Sequence, residues 1–178
     1  MKFRFEYILL LLIFFINISF RLFFVTSTDY LSSDDSYFHL RNIENLINNA
    51  AYNYDELSYG GREILYSPFY YHFLAFFARV VGPLAALKII PELLISLLPI
   101  VIFLLVKLIV KNNYIALFCS LISGFIPVIL EKTLNQDSIY SIMLPLMFFM
   151  FYLFLYVIYN KKRVGLFVGL TFLLPLIH

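Results

Sequence analysis

Apolar runs of bilayer-crossing length set the limits on what this chain can fold into. Residues 7–25, 91–110, 114–130, 138–159 and 164–178 are almost continuously aliphatic or aromatic, with their few charges near the ends. A helix of about 20 such residues covers the roughly 30 Å hydrocarbon layer, so each run is long enough to span it or nearly so. With 62% hydrophobic and 13% charged residues in 178, the chain carries more apolar surface than a soluble domain of this size conceals. Inside lipid the backbone must bond to itself, and unbroken rather than alternating hydrophobicity selects helices over a barrel. The expectation is an all-α polytopic membrane protein with about five transmembrane helices, in one membrane domain covering residues 1–178.

The first run follows Lys2 and Arg4, as a secretory signal would. It exceeds the core of a signal peptide, typically about 7–15 residues, and Thr26-Ser27-Thr28 is a weak cleavage pattern, so it reads as a retained anchor. Arg21, near its outer end, is expected to snorkel to the interface. Residues 66–81 are shorter, carry Tyr66, Tyr70, Tyr71 and His72, and end at Gly82-Pro83. Placed in the interface instead of across the bilayer, they leave Lys2, Arg4, Lys107, Lys111 and Lys161-Lys162-Arg163 all on one side, as the positive-inside rule favours. The N-terminus is then cytoplasmic in a multi-pass protein of the cell membrane. Residues 26–90 become a long extracytoplasmic loop with an interfacial helix over 66–81, and residues 131–137 a short loop on the same face.

Seven of the eleven acidic residues (Asp29, Asp34, Asp35, Glu44, Asp55, Glu56 and Glu63) fall in that first outer loop. A greasy chain that gathers carboxylates beside the membrane points to a use for them. Ser33 or Asp34 is placed to cap a helix running to about Asn48. Asp35 falls in its first turn, where the helix dipole favours a carboxylate. Asp35 and His39 are four apart and share a face, which Asn42 continues. Tyr37, Leu40, Ile43 and Ile47 make an opposing apolar stripe suited to lie on the membrane. This geometry suits a hard divalent cation at Asp35, with His39 near the metal or a substrate. The plainer alternative is an N-capped, solvated loop helix.

Asp34-Asp35-Ser36-Tyr37-Phe38-His39-Leu40-Arg41 resembles the first acidic motif of the catalytic subunit of oligosaccharyltransferase and its archaeal relatives. Gly61-Arg62, followed by Tyr66-Ser67-Pro68, is similar to a Gly-Arg and Tyr-Pro segment in the same loop of that family. Residues 131–137, followed by Pro145, sit where the family's second acidic motif sits. Here Glu131 and Asp137 stand six apart, in place of a tight acidic pair. The resemblance covers the whole chain but only the N-terminal part of such an enzyme. The chain contains no Trp, so the family's Trp-Trp-Asp-Tyr-Gly acceptor motif is not in it, nor are the later spans or the soluble C-terminal domain.

The resemblance implies a polytopic C-type glycosyltransferase that uses a polyprenyl- or dolichyl-phosphate-linked sugar and a divalent cation, Mg or Mn. Such hard cations prefer carboxylate oxygens, neutralise a phosphate leaving group and keep several waters. On this basis Asp35, Asp137 and His39 are the candidate catalytic residues, and Asp35, Asp137 and Asp34 the candidate metal ligands. Arg41 and Arg62 are the candidate phosphate-binding residues. The missing segments lead us to expect that a second chain completes the enzyme. The alternative is a non-catalytic multi-pass protein, an assembly factor or a transporter subunit.

Other classes find little support. A net charge of +2 with scattered basic residues does not suggest nucleic acid. Cys119 is the single cysteine, so no disulfide forms within the chain. A serine elbow, a HExxH pair and a phosphate loop are missing. His72 reads as an interfacial side chain, Glu92 as a cap or a cavity-facing acid near the outer end of its span, and Gly165 with Gly169 as a helix-packing pair.

Overall fold

The computed structural model describes residues 5–48, 54–55, 59–63 and 68–177. Lys2, Arg4, Glu56, Tyr66, Ser67 and His178, all used in the sequence reading, lie outside the described residues. Helix α1, Phe5–Thr26, is followed by a short helix, α2, over Asp34–Ile47. Two-residue strands β1 (Tyr54–Asp55) and β2 (Arg62–Glu63) pair antiparallel, with Tyr54 opposite Glu63. Helices α3 (Pro68–Val81) and α4 (Pro83–Ile95) meet at Gly82, whose φ of 90° is a conformation that suits glycine. Beyond them come α5 (Leu98–Val110), α6 (Asn113–Gly124), α7 (Pro127–Thr133), α8 (Tyr140–Asn160) and α9 (Val164–Ile177).

Among the described residues, three segments are long and apolar enough to cross a membrane: Phe5–Thr26, Pro83–Val110 and Tyr140–Asn160. A fourth arises if α6 and α7, bent by 43° at their break, count as one span. The chain is therefore an α-helical membrane protein. The run over 114–130 is not straight, because Gly124 ends one helix and Pro127 opens the next. α9 is an apolar helix of 14 residues, shorter than a full span.

Residues 83–90, expected in the outer loop, are helical. Pro83 sits in the first turn of α4, where its fixed φ and missing N–H cost nothing, so residues 83–90 continue into the run Pro83–Val110 that is long enough to span. Pro91 lies inside that helix and does not start it.

Contacts at the two ends of the bundle show which segments lie together. At one end the Asn113 amide donates to Glu6 Oε1 at 2.8 Å, and Lys107 lies over the rings of Tyr7 and Phe103. At the other, the backbone N–H of Ser32 donates to Asn135 O at 2.9 Å. Residues 27–33 and 134–139 therefore share one end of the bundle. Between the ends, Asn17 donates to Gly124 O at 2.8 Å, and a Cβ at position 124 would strike that amide. Close approach at a small residue, closed by an interhelical hydrogen bond, is how helices associate where lipid offers no hydrophobic drive.

Two expectations about side chains are corrected. Arg21 does not snorkel: it is 1% exposed, and its Nη1 meets Glu92 Oε2 at 2.8 Å and Thr133 Oγ1 at 3.1 Å. A guanidinium facing the bundle interior finds there a counter-charge that the lipid side lacks. Nor does the apolar stripe of α2 lie on a membrane. Ile43 is fully buried, and Leu40, Leu46 and Ile47 pack with it against Tyr70, Tyr71 and Leu74 of α3. Lys88, also buried, donates to the carbonyls of Val25 and Thr28 and so caps the C-terminal end of α1.

Candidate functional site

The site is built from the N-terminal turns of α2. Ser33 has extended φ and ψ, and its Oγ accepts from Ser36 N, an N-cap that starts the helix at Asp34. This register sends Asp35 and His39 to one side. The first turn of α3 faces them with Tyr70 and Tyr71, and the segment from Lys132 to Tyr140 closes the third wall. Together they enclose a cavity of about 430 Å³ at the end of the bundle that carries the two acidic loops.

Asp137 is held from two sides. Its backbone N–H donates to Ser36 Oγ at 2.8 Å, across 101 residues of sequence, and Ser36 Oγ shares a further hydrogen bond with Ser33 Oγ. The Tyr70 hydroxyl donates to Asp137 Oδ1. The other oxygen, Oδ2, is buried without a hydrogen-bond partner, and the residue is only 4% exposed. Burial pushes the Asp137 carboxyl up to about 7, against the opposing effect of the Tyr70 hydrogen bond. The same burial, with Asp137 alongside, raises the Tyr70 hydroxyl, which stays protonated and donates.

His39 is oriented by the second tyrosine, with Nδ1 at 2.7 Å from the Tyr71 hydroxyl. Burial lowers its pKa, and the negative charge of Asp35 opposes this only in part, so the ring is biased toward the neutral form. The site therefore joins an exposed carboxylate at Asp35, a carboxyl at Asp137 that titrates near neutrality and a neutral imidazole. Such a set is able to exchange protons or to share a cation.

No protein-family model, curated protein or solved structure matches this chain.

Of the residues singled out in the sequence, Asp35, His39 and Asp137 line the same cavity. Asp34 is exposed at the start of α2 and is not part of its lining. Arg41 is not part of the lining either, and its guanidinium lies 5.7 Å from the centre of the Phe38 ring. Arg62 is placed by its backbone in β2, while its side chain lies outside the described residues. Asn42 follows His39 on the same face but is buried, with its Nδ2 lacking a partner.

Among the described residues, no group of three His, Cys, Asp or Glu side chains stands ready to hold an ion.

Sequence reasoning missed Tyr70, Tyr71, Lys132 and Gln136. Composition alone assigns the two tyrosines to the headgroup region, yet they begin a buried stripe that continues through Leu74, Ala75 and Ala78. Phe69, Phe76 and Val80 make the opposite side of α3 apolar as well, so the spacing by itself did not mark which side faces the bundle. His72, two residues after Tyr70, is exposed.

Proposed function

We propose that this chain is a glycosyltransferase-like membrane protein that binds a polyprenyl-phosphate-linked sugar at the Asp35–His39–Asp137 cavity, as the N-terminal part of an oligosaccharyltransferase would. The observation that carries this reading is the convergence of Asp35, His39 and Asp137, from two loops far apart in sequence, on one cavity at the end of an apolar bundle. A ligand with a charged head and an apolar tail suits that position. The exposed side chains Tyr140, Met147, Phe151 and Phe154 run down α8 from the cavity wall and offer the tail a continuous apolar stripe.

Asp35 and Asp137 are the ligands in this reading for a divalent cation, Mg or Mn, which would supply charge neutralisation at the departing phosphate. His39 and Asp137 hold or move a proton at the acceptor. The acceptor-binding part lies outside residues 1–178, so transfer to a peptide requires more than this segment. Purified chain in nanodiscs is expected to bind a polyprenyl-phosphate-linked sugar, to lose most of that binding with EDTA and to form little or no glycopeptide alone. Absence of donor binding with Mg present identifies the chain instead as a non-catalytic multi-pass protein.

The membrane orientation belongs to the same proposal. Five spans, with α6–α7 bent and α9 as the fifth, put the N-terminus in the cytoplasm and the cavity outside. In a Cys119→Ser background, an impermeant maleimide added to intact cells is expected to label Tyr30→Cys and spare Asn160→Cys. Labelling of position 160 from outside overturns the orientation.

A further inference from the structure

We infer that Lys132, and not Arg41, is the residue that binds the phosphate of the ligand, an inference that rests on the polyprenyl-phosphate reading of the cavity. The charges around the cavity point to it. Asp35 and Asp137 are acids and His39 is biased toward neutrality, which leaves Lys132 as the fixed cation among the described lining residues. Its ion pair is with Glu131, 3.8 Å away, and both side chains are more than 60% exposed (63% and 72%). A pair so wet is worth little and does not hold the ammonium away from a phosphate.

The backbone that presents Lys132 is held on both sides. Thr133 next to it is buried, donates to Ile129 O and meets Arg21. Asn135, two positions further on, donates its backbone N–H to Glu92 Oε1 at 2.8 Å and its side-chain amide to Thr28 Oγ1 and Tyr30 O. The Gln136 amide folds back onto the Glu131 carbonyl. The lysine stem thus leaves from an anchored turn at the cavity rim, with its charged end able to reach a phosphate placed between the acidic residues and solvent.

The shared chemistry is a phosphate ester, and its source is either a lipid or a soluble phosphate. The test uses the full chain in phosphatidylcholine nanodiscs with Mg, and measures displacement of a fluorescent short-chain polyprenyl phosphate. Competitors are unlabelled polyprenyl phosphate, the corresponding polyprenol, inorganic phosphate and pyrophosphate. A charge-assisted hydrogen bond of typical strength corresponds to about tenfold or more in affinity. The wild type is expected to prefer polyprenyl phosphate to polyprenol by at least that factor.

Lys132→Met should cut the preference about tenfold, Lys132→Arg should keep most of it, and Lys162→Met at the opposite end of α8 should leave it unchanged. Displacement by inorganic phosphate or pyrophosphate at micromolar concentration, lost in Lys132→Met, keeps the lysine assignment and makes the ligand a soluble phosphate. A Lys132→Met chain that prefers the phosphate as strongly as the wild type overturns the assignment and leaves the lipid-phosphate reading in place. A wild type that does not discriminate between polyprenyl phosphate and polyprenol overturns both.

Discussion

Glu92→Ala is expected to cost about 3–5 kcal/mol of stability, the largest effect of any single substitution outside the apolar core. Arg21 and Glu92 are each 1% exposed and meet at 2.8 Å. Removing the carboxylate strands a guanidinium whose Nε already lacks a partner. It also strips the acceptor from the Asn135 backbone N–H. Total stabilities of single domains run at about 5–15 kcal/mol, so a loss of this size shifts a large share of molecules to the unfolded state.

The double variant Arg21→Met, Glu92→Met is expected to lose less than Glu92→Ala alone, because it removes both charges together and leaves only the Asn135 donor unpaired. Denaturation in detergent micelles measures the three chains side by side. If Glu92→Ala loses less than about 1 kcal/mol, as exposed pairs do, the buried pair is not formed as described. The same substitution should loosen residues 133–137 and weaken whatever binds at the cavity, since the pair tethers that segment to α1 and α4.

The second large effect is a pH dependence that Asp137→Asn removes. The Asp137 carboxyl has an ordinary value of 3.8 and is raised to about 7 in the folded chain. The folded state thus favours the protonated form. Stability from this group is fully present below about pH 4, falls as pH rises through the window from about 4 to about 7, and is level above it. A displacement of this size corresponds to roughly 4 kcal/mol across the window, as an upper figure. The amide introduced by Asp137→Asn keeps an acceptor for Tyr70 without a charge to desolvate, so the variant chain should show none of this fall.

His39 contributes with the opposite sign, because its lowered value makes stability rise with pH up to about 6.5. That contribution is common to both chains and cancels in the difference. Denaturation of the two chains at intervals from pH 4 to 8 reads the result, and parallel profiles within about 1 kcal/mol would reject a protonatable buried Asp137. If the cation reading of the site is right, Mg binding should strengthen over the same window as Asp137 ionises.

The sequence reading succeeded where the controlling interactions are local. Ser33, Asp35, His39 and the end of α2 near Asn48 follow from a cap and a helical repeat, and both act within a few residues. The bend between Gly124 and Pro127 was written in the same short-range signals, though a straight run over 114–130 hid it. Other features depend on partners far along the chain. α3 is apolar on most of its circumference, so amphipathicity alone does not say whether Tyr70 and Tyr71 face lipid or protein. Arg21 finds Glu92 71 residues later, and no periodicity announces the pair.

By itself, then, the sequence determines that this chain is helical and membrane-embedded, because in lipid each backbone must satisfy itself within its own segment. It also determines that Asp35 and His39 share a face, because helix geometry needs only four residues to do so. Tertiary structure alone decided that Asp137 joins them, through Ser36 and Tyr70, and that Arg21 turns inward to Glu92. Those contacts depend on which helices pack together, and in a bundle of nearly uniform apolar helices a few buried polar groups make that choice.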